Sequence, residues 1–574
     1  MNNNQENNHV LTPLDQFRKV FKKWSLIVFI AAITLSVLVN LFLYQRIYHV
    51  TFIFLYLFSI LGLILSVAHV QKLSMPRISR KTFVTILFVL LLPVCIRIFN
   101  YNLDRIHGDD MLTAYFSATE KFSRINLFGG IPSDKTQWVC QFPAHFFFLQ
   151  QLFFTIFGKS ILTVKLSVLP YVSVVSLFLF LSVRKLLDRK AAIAAVVFNA
   201  FFAPSLYLET LGLHFVSSTA IFMAFFYFAI VNKEKNDKFS AVILGLLTGL
   251  SYMFYSSSYI ALPFMMLFFC MRFLQKGRKK VFASFIFATI SFIVTVSPYA
   301  MYAVRYENYF TQRIDQVSLL TGTWSAQKKS LDAGVSAVNI VKSNTQLSLG
   351  SMYKDGLGGH GGYTYAKLAL FEKFTLFMFL AGVPIAIVLM FKKMPFFWIL
   401  TIIIASFISG IILTIPPPAY HRFSLAYPFI AIISVLPLWL IMSLRFKTVS
   451  VIISITVLFF IAYQNQIYFL RSTAEEKIHD HIKLSNVIAT RFPDRKITVA
   501  AFTGYAFEKI FYFAGNPKQQ IETDYHVKYL GEFDANTPYL YVILNPYEFG
   551  SQFSVFDPNG TLEYFADDIS LFYN

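Results

Sequence analysis

The chain has 574 residues, of which 56% are hydrophobic and only 14% are charged, and its mean hydropathy is +0.58. Soluble domains carry about 25% charged residues, so this composition excludes an ordinary soluble protein. The formal net charge of +20 does not indicate nucleic-acid binding, because the basic residues lie in short connections between apolar runs and no nucleic-acid motif is present. The three cysteines, Cys95, Cys140 and Cys270, have no spacing typical of a disulfide framework or a metal site.

Hydropathy predicts a polytopic α-helical membrane protein with about thirteen transmembrane helices, since many apolar runs reach the length of about 20 residues that spans a bilayer. The first run is too long for a signal-peptide core and no small-residue cleavage site follows it, so we expect it to be retained. The predicted cores are 25–45, 49–69, 82–99, 160–183, 191–206, 214–232, 239–254, 257–275, 281–301, 373–391, 395–414, 424–443 and 448–468.

The distribution of basic residues predicts the orientation. Every second connection is short and basic, which places the N-terminal segment 1–24 and these connections in the cytoplasm. The three long segments, 100–159, 302–372 and the tail after 469, then lie together on the exoplasmic face. We therefore expect a multi-pass protein of the plasma membrane whose chemistry takes place on the exoplasmic side.

The tail 469–574 has a composition different from the rest of the chain and alternates strand-like with helix-like segments. Strands are predicted at 496–502, 539–544 and 561–565, and a helix at 505–514. We expect a small exoplasmic α/β domain, and no catalytic motif stands out within it.

The loop after the third span contains the strongest chemical signal. Asp109 and Asp110 lie just outside a span and directly before an amphipathic helix that includes Tyr115. Two carboxylates at a helix start are stabilised by the helix dipole, so the pair is interpretable as a cap. The functional interpretation is a general base or a metal ligand, because a carboxylate in a partly dehydrated cleft at the bilayer surface can reach a useful pKa.

An apolar aromatic segment follows, from Gln141 to Gly158, and it predicts a helix lying in the membrane interface. His145 lies within it. A histidine in such a segment is more often a packing residue than a catalytic one, and both interpretations stay open.

Two short exoplasmic loops contain further charged residues. Glu209 lies between the fifth and sixth spans, where an acidic side chain is costly unless it is paired or hydrated. Arg422, preceded by His421, begins a span at the exoplasmic end, which opposes the positive-inside trend and favours an anionic partner such as a lipid phosphate. The alternatives are an interfacial Glu that reaches water and an Arg that snorkels to the interface.

The long loop 302–372 contains a glycine-rich stretch that ends at Tyr363. It lacks the strand, glycine loop and lysine of a nucleotide site. It is consistent with a flexible loop that gates a substrate cleft, or with plain flexibility.

These motifs, in this order, resemble the GT-C superfamily of membrane glycosyltransferases, in particular the branch of the protein mannosyltransferases and lipid A aminoarabinose transferases. The resemblance rests on the acidic pair, on Pro143 with the following Phe157-Gly158, and on Lys165-Leu166 at the start of the next span, and it covers roughly 82–445. The chain departs from the family in having Asp-Asp for Asp-Glu, Phe142-Pro143 for Pro-Pro and Lys-Leu for Arg-Leu. The Trp-Trp-Asp motif of oligosaccharyltransferases is absent.

The resemblance implies a division into two additional N-terminal helices (25–81), a GT-C-like catalytic domain (82–468) and the tail domain. It implies inverting transfer of one sugar from a polyprenyl-phosphate donor to an exoplasmic glycan, lipid or protein. Asp109 would be the base, with Asp110 and Glu209 also catalytic, and a divalent cation, if present, would lie between Asp109 and Glu209. Arg422 and His421 would bind the donor phosphate. Tyr115, His145 and Tyr363 are substrate-binding candidates.

Two other classes of function stay open. A transporter or lipid flippase would be expected to have internal repeats and interrupted helices with charges at mid-span. A structural membrane protein that presents the tail domain would leave the charged residues of the exoplasmic face unexplained.

Overall fold

Helices dominate the computed structural model of the protein. The structure describes residues 13–44, 50–70, 79–103, 105–106, 108–119, 145–235, 237–274, 278–305, 317–319, 331–357, 368–414, 418–444, 447–474, 480–500, 505–514, 521–524, 538–544, 560–566 and 569–574. Tyr363, the glycine-rich stretch around it and Pro143 lie outside these ranges.

The described helices, in chain order, are α1 (Pro13–Tyr44), α2 (Val50–Val70), α3 (Arg80–Phe99), α4 (Gly108–Thr119), α5 (His145–Phe157), α6 (Ile161–Leu166), α7 (Leu169–Leu186), α8 (Arg189–Phe201), α9 (Ala203–Glu209), α10 (Phe215–Lys235), α11 (Lys238–Ser251), α12 (Ala261–Phe273), α13 (Arg278–Arg305), α14 (Ala337–Ser351), α15 (Lys373–Lys392), α16 (Pro395–Phe407), α17 (Tyr420–Phe423), α18 (Tyr427–Met442), α19 (Lys447–Ala474), α20 (Asp480–Arg491) and α21 (Tyr505–Ala514). A π-helical turn, Ile408–Ile412, extends α16.

Ten of the described helices are long and apolar enough to cross a membrane, and the bent pair α8 and α9 would make an eleventh span. The predicted spans 49–69 and 239–254 coincide with the shorter apolar stretches Phe54–Val67 and Lys238–Ser251. Every predicted core therefore coincides with helix, and the chain is an integral membrane protein. The figure of thirteen crossings stays a prediction.

The centre of the bundle is formed by α10 and by α17 with α18. In the span Phe215–Lys235, 78% of the apolar window is buried, whereas in Arg80–Phe99 only 28% is. Helices that are apolar on all sides suit this interior, while the outer helices present apolar side chains to lipid. One large apolar cluster joins α7, α8, α10, α12, α16 and α18.

The bend between α8 and α9 places the loop that carries Glu209. Phe202 leaves helical geometry with ψ 112°, and a proline, Pro204, occupies the first turn of α9. Proline suits a first turn because its missing N–H would have no partner there. The N–H of Ala203, which has no partner within the helix, donates to Asn465 Oδ1 of α19 at 3.2 Å. The start of α9 is therefore held by α19.

The N-terminal hairpin of α1 and α2 packs against α11 and α13. Asn40 Nδ2 donates to Ser297 Oγ at 2.8 Å, and the Tyr56 hydroxyl donates to the Thr295 carbonyl at 2.9 Å. Both contacts lie close to Pro298, which lies inside α13. The hairpin is therefore attached to α13 beside this proline.

The tail contains a five-stranded sheet. The strands are β1 (Lys496–Ala500), β2 (Ile521–Asp524), β3 (Tyr539–Leu544), β4 (Thr561–Ala566) and β5 (Ile569–Tyr573), in the order β2-β1-β3-β5-β4. β1, β2 and β3 are parallel, and β5 pairs antiparallel with β3 and β4.

The predicted α/β domain is confirmed. The helix at 505–514 and the strand at 539–544 have the predicted bounds, and β4 is one residue longer than predicted. β1 matches the predicted strand up to Ala500, and the rest of that prediction, residues 501–502, lies outside the described ranges. β2, β5 and α20 were not predicted.

Candidate active site

The acidic pair lies in the first turn of α4. Asp110 is fully buried and Asp109 is half-buried. The Thr113 hydroxyl donates to the backbone carbonyl of Asp109 at 2.7 Å. The N–H groups and dipole of a helix start favour ionised carboxylates, so the position of the pair suits both the interpretation as a cap and the interpretation as an acidic site.

Lys165 joins the segment before α4 to the turn after α9. Its ammonium group is buried and donates to the carbonyl of Arg105 at 2.7 Å and to the carbonyl of Thr210 at 3.1 Å. Lys165 lies in the last turn of the short helix α6. This single side chain therefore holds the approach to Asp109 next to the residue that follows Glu209.

Arg105 strengthens the same junction. Its guanidinium donates to Thr210 Oγ1 at 2.7 Å and to the Tyr207 carbonyl at 3.2 Å, and it lies 3.6 Å from the centroid of the Tyr207 ring. Cation–π contacts at this distance are favourable, the more so where water is excluded. Arg105 is 7% exposed, so water screens its charge only weakly and the charge acts on the neighbouring groups of the site.

Glu209 forms a buried ion pair with Arg97 of α3. Arg97 Nε and Nη2 both donate to Glu209 Oε2, at 2.8 and 2.5 Å, and Arg97 Nη1 donates to the carbonyl of Ala200. Arg97 is completely buried and Glu209 is 6% exposed. A buried ionised pair is tolerated only where additional hydrogen bonds compensate for lost hydration, and here the bent α8–α9 junction supplies them.

Gln150 links the acidic helix to the turn after Glu209. Its Oε1 accepts from Ser117 of α4 at 2.6 Å, while its Nε2 donates to Ser167 Oγ at 3.2 Å and to the Gly212 carbonyl at 3.4 Å. A Cβ atom at position 212 would overlap the side chain of Val164 and lie 3.1 Å from its carbonyl oxygen. Glycine is therefore required for the turn to approach α6.

Two histidines near this turn, the half-buried His145 and the buried His214, belong to an aromatic wall. His145 packs on Phe254 with ring centroids 5.5 Å apart, and His214 packs on Tyr255 at 5.0 Å. Partial loss of hydration lowers the pKa of His145 below its ordinary value. A lowered pKa favours the neutral ring, which fits the packing interpretation of His145.

His421 joins the same wall from α17. Its ring lies 4.9 Å from that of Phe215, which in turn lies 4.9 Å from that of His214. Arg422, the next residue, is half-buried. A Cβ at Gly410 of the π-helical turn would lie 2.7 Å from the Arg422 carbonyl oxygen, so the turn packs directly on the backbone of Arg422.

Tyr115 lies on α4 but contacts the tail domain. Its ring meets Tyr512 of α21 edge-to-face, with centroids 5.3 Å apart. The Lys159 ammonium also donates to the Tyr512 hydroxyl, at 2.5 Å. The acidic helix is therefore held from two sides, by α5 through Gln150 and by the tail domain.

The predicted residues fall into three groups. Asp109, Asp110 and Glu209 are brought into one neighbourhood through Arg105, Lys165 and Thr210. His145 and His421 border it through the aromatic wall, with Arg422 beside His421, whereas Tyr115 is engaged by Tyr512. Within the described part of the chain, no three His, Cys, Asp or Glu side chains are grouped so that they could hold a metal ion.

Arg97, Arg105 and Gln150 were not predicted from the sequence. Only Arg97 had a usable signal, because an arginine inside an apolar run requires a partner within the membrane, and Glu209 was one of several acidic residues on the same predicted face. The roles of Arg105 and Gln150 depend on contacts between distant segments.

Comparison with solved structures identifies the fold. No family model and no curated protein matches the chain in sequence. Among solved structures, ArnT from Cupriavidus metallidurans bound to undecaprenyl phosphate superposes with a TM-score of 0.54 at 11% identity, covering 86% of this chain and 98% of that one. The apo state of ArnT gives 0.53 at 12% identity over the same shares. The GT-C resemblance is thereby confirmed as a shared fold.

Proposed function

We propose that the protein transfers a single sugar from a polyprenyl-phosphate donor to a hydroxyl of an exoplasmic acceptor. The observation that carries this proposal is the junction at which Lys165 and Arg105 bind the Thr210 turn directly before the acidic helix. It combines a candidate base with buried cations, which are the two things that displacement of a phosphate requires. A solved structure of the same fold holds undecaprenyl phosphate, which supports a lipid-linked donor.

The reaction is a single displacement. Asp109 removes the proton from the acceptor hydroxyl, and the acceptor oxygen attacks the anomeric carbon. The bond between that carbon and the phosphate oxygen breaks, and the polyprenyl phosphate leaves with the bonding electrons. One displacement inverts the anomeric configuration. We assign the base to Asp109 because it is half-buried and can meet a substrate, while the fully buried Asp110 supports the helix start.

The leaving phosphate needs positive charge close to it. We assign this role to Arg422 with His421, as the sequence suggests, and we add the field of Arg105 and Lys165. Glu209 is held by Arg97, so we propose that it fixes the α9 turn and orients the sugar through it. A divalent ion at Asp109 and Glu209 is the alternative source of charge, and removal of metal by a chelator distinguishes the two: the protein-only site keeps its rate.

The remaining predicted contacts follow from this site. We propose that Tyr115 and His145 line its edges and that Tyr363 approaches with the loop 302–372. The donor enters from the lipid, the acceptor from the exoplasmic side of the plasma membrane, and the N-terminus faces the cytoplasm. A transporter or flippase would move the lipid without breaking the sugar–phosphate bond.

The test is an assay on the full chain in lipid vesicles with a panel of polyprenyl-phosphate sugars, which detects released polyprenyl phosphate and glycosylated acceptor from membrane extracts. Asp109→Asn keeps the helix start but cannot accept the proton, so its rate should fall by about 10²–10⁴. Asp494→Asn, at an exposed turn of the tail, is the matched control and should retain full activity. Equal rates for the two variants would remove Asp109 as the base, and lipid movement without sugar release would favour the transporter.

A further inference from the structure

A cavity lies between α10, α12 and α16, away from the candidate active site. It is a narrow groove that contains about 390 Å³ of empty space, including the space at its open side. Its walls are apolar, with Phe225, Phe268 and Ile402 among them, and Lys233 and Pro395 lie at one end. Pro395 begins α16 and Lys233 lies in the last turn of α10, so this end of the cavity, called its mouth below, lies at the predicted cytoplasmic end of these helices.

The mouth of the cavity is positively charged. Lys233 is half-buried and is repelled by the neighbouring Arg272. The Arg272 guanidinium is held by the backbone carbonyl of Asn232 at 3.2 Å and by its side-chain oxygen. Glu234, the adjacent carboxylate, is bound to Lys185 of α7. One cation, Lys233, therefore lines the mouth and a second, Arg272, lies close enough to repel it, while Glu234 is engaged by Lys185, which favours an anionic ligand.

Trp398 adds a hydrogen-bond donor inside the cavity. It is 6% exposed, lines the cavity and packs edge-to-face on Phe264. Its Nε1–H has no acceptor in the described part of the chain. A buried indole N–H usually finds a partner, so a ligand that offers an acceptor below its charged group would satisfy it.

The dimensions match one kind of ligand. Phe225 and Lys233 are eight residues apart on α10, so the apolar wall extends about 12 Å from the charged mouth at 1.5 Å per residue. A headgroup at the mouth and an apolar chain along the wall is the arrangement of a phospholipid. Basic pockets between transmembrane helices on the cytoplasmic side are suited to anionic headgroups.

We propose that this cavity binds an anionic phospholipid of the cytoplasmic leaflet. The phosphate contacts Lys233 within the positive field of Arg272, the Trp398 Nε1–H donates to an ester carbonyl, and one acyl chain lies along Phe225, Phe268 and Ile402. The site is separate from the proposed catalytic chemistry and does not depend on it.

The test measures which lipids the full chain retains. Purified protein is equilibrated with equal amounts of phosphatidylglycerol and phosphatidylcholine of identical acyl chains, and bound lipid is counted by native mass spectrometry. The parent protein should retain phosphatidylglycerol preferentially. Lys233→Gln should lower that preference about fivefold, the effect of one basic residue near an anionic surface. Lys235→Gln, an exposed lysine on the same turn, is the matched control and should leave the preference unchanged.

A second pair of variants tests the walls. Ala229→Leu places a larger side chain at a lining position and should reduce retention of both lipids, while Trp398→Phe should weaken phosphatidylglycerol without changing the folded fraction. An equal effect of Lys233→Gln and Lys235→Gln would show that the basic surface attracts anionic lipids without a specific site, and would overturn the proposal. Equal retention of the two lipids, or displacement of phosphatidylglycerol from the parent protein by polyprenyl phosphate, would also overturn it.

Discussion

The N-terminal hairpin and the C-terminal domain are attached to the same bundle by different physical means. Two hydrogen bonds, one part-buried and one buried, join the hairpin to α13. The tail domain is joined by an apolar cluster in which Ile510 and Phe513 of α21 meet Met111 of α4 and Phe154 of α5. The difference follows from the surroundings, since lipid tails are as apolar as leucine and give no hydrophobic force between helices, whereas water does.

The hairpin contact compensates for a backbone hydrogen bond that α13 lacks. Pro298 lacks the N–H that would bind the Val294 carbonyl. The Ser297 hydroxyl donates to that carbonyl at 3.3 Å, and Asn40 of α1 donates in turn to the Ser297 oxygen. An unsatisfied carbonyl is costly in lipid, so the hairpin stabilises α13 at Pro298 by adding a donor to the Ser297 hydroxyl that binds this carbonyl.

Removing an aromatic ring from the tail interface should have the largest effect. Phe513 is 8% exposed and its ring lies 5.6 Å from that of Phe154. Phe513→Ala should weaken docking by about 3 kcal/mol, which corresponds to roughly a hundredfold loss of hydrogen-exchange protection in α4. Protection in the central helix α18 should not change.

Tyr564→Ala provides the control for this prediction. Tyr564 is 68% exposed on β4, and its loss should leave α4 protected. If α4 exchanges as slowly in Phe513→Ala as in the parent protein, the tail domain does not hold the acidic helix. The proposed apolar attachment of the tail domain would then be wrong.

Removing the polar contact of the hairpin should have a smaller effect. Asn40→Ala should lower stability in lipid nanodiscs by about 0.6 kcal/mol, and by no more than about 1.7 kcal/mol, the range of hydrogen bonds between membrane helices. Thr34→Ala is the control, because that exposed hydroxyl binds only its own helix, at the Ile30 carbonyl. The effects of Asn40→Ala and Ser297→Ala should be non-additive because the two side chains share one hydrogen bond. Additive effects would show that this hydrogen bond does not stabilise α13 at Pro298.

Local signals allowed most of the fold to be predicted. The runs of apolar residues located the spans, and the two aspartates before an amphipathic segment located the start of α4, because hydropathy and capping depend on neighbouring residues. The two N-terminal helices were predicted as elements, but their docking at Pro298 was not, since Asn40 and Ser297 are distant in the chain.

The candidate site was predicted only in part, for the same reason. The sequence marked Asp109, Glu209 and Arg422 as charged residues on one face. It did not reveal that Glu209 binds Arg97 or that Tyr115 packs on Tyr512, because both contacts form only when distant segments fold together. A charge inside an apolar run indicates that a partner exists without identifying it.

The smallest effect concerns the surface of the tail domain, where charge should matter least. Arg491 of α20 donates to both carboxylate oxygens of Glu563 on β4 at 2.9 Å, and these hydrogen bonds lower the pKa of Glu563 below its ordinary value. A lowered carboxyl pKa means that the pair stabilises the domain above the unfolded pKa of about 4.3 and that this stability is lost as the pH falls through the folded value. Because both side chains are about a third or more exposed, the contribution should be only about 0.2–1 kcal/mol and should shrink in high salt.

Glu563→Gln should therefore slightly reduce the fall in the tail domain's melting temperature as the pH is lowered. The apolar contact of Phe513 should keep its strength across the same pH and salt range. A pH or salt dependence of docking as large as the loss in Phe513→Ala would mean that ion pairs, and not apolar contacts, attach the tail domain to the bundle.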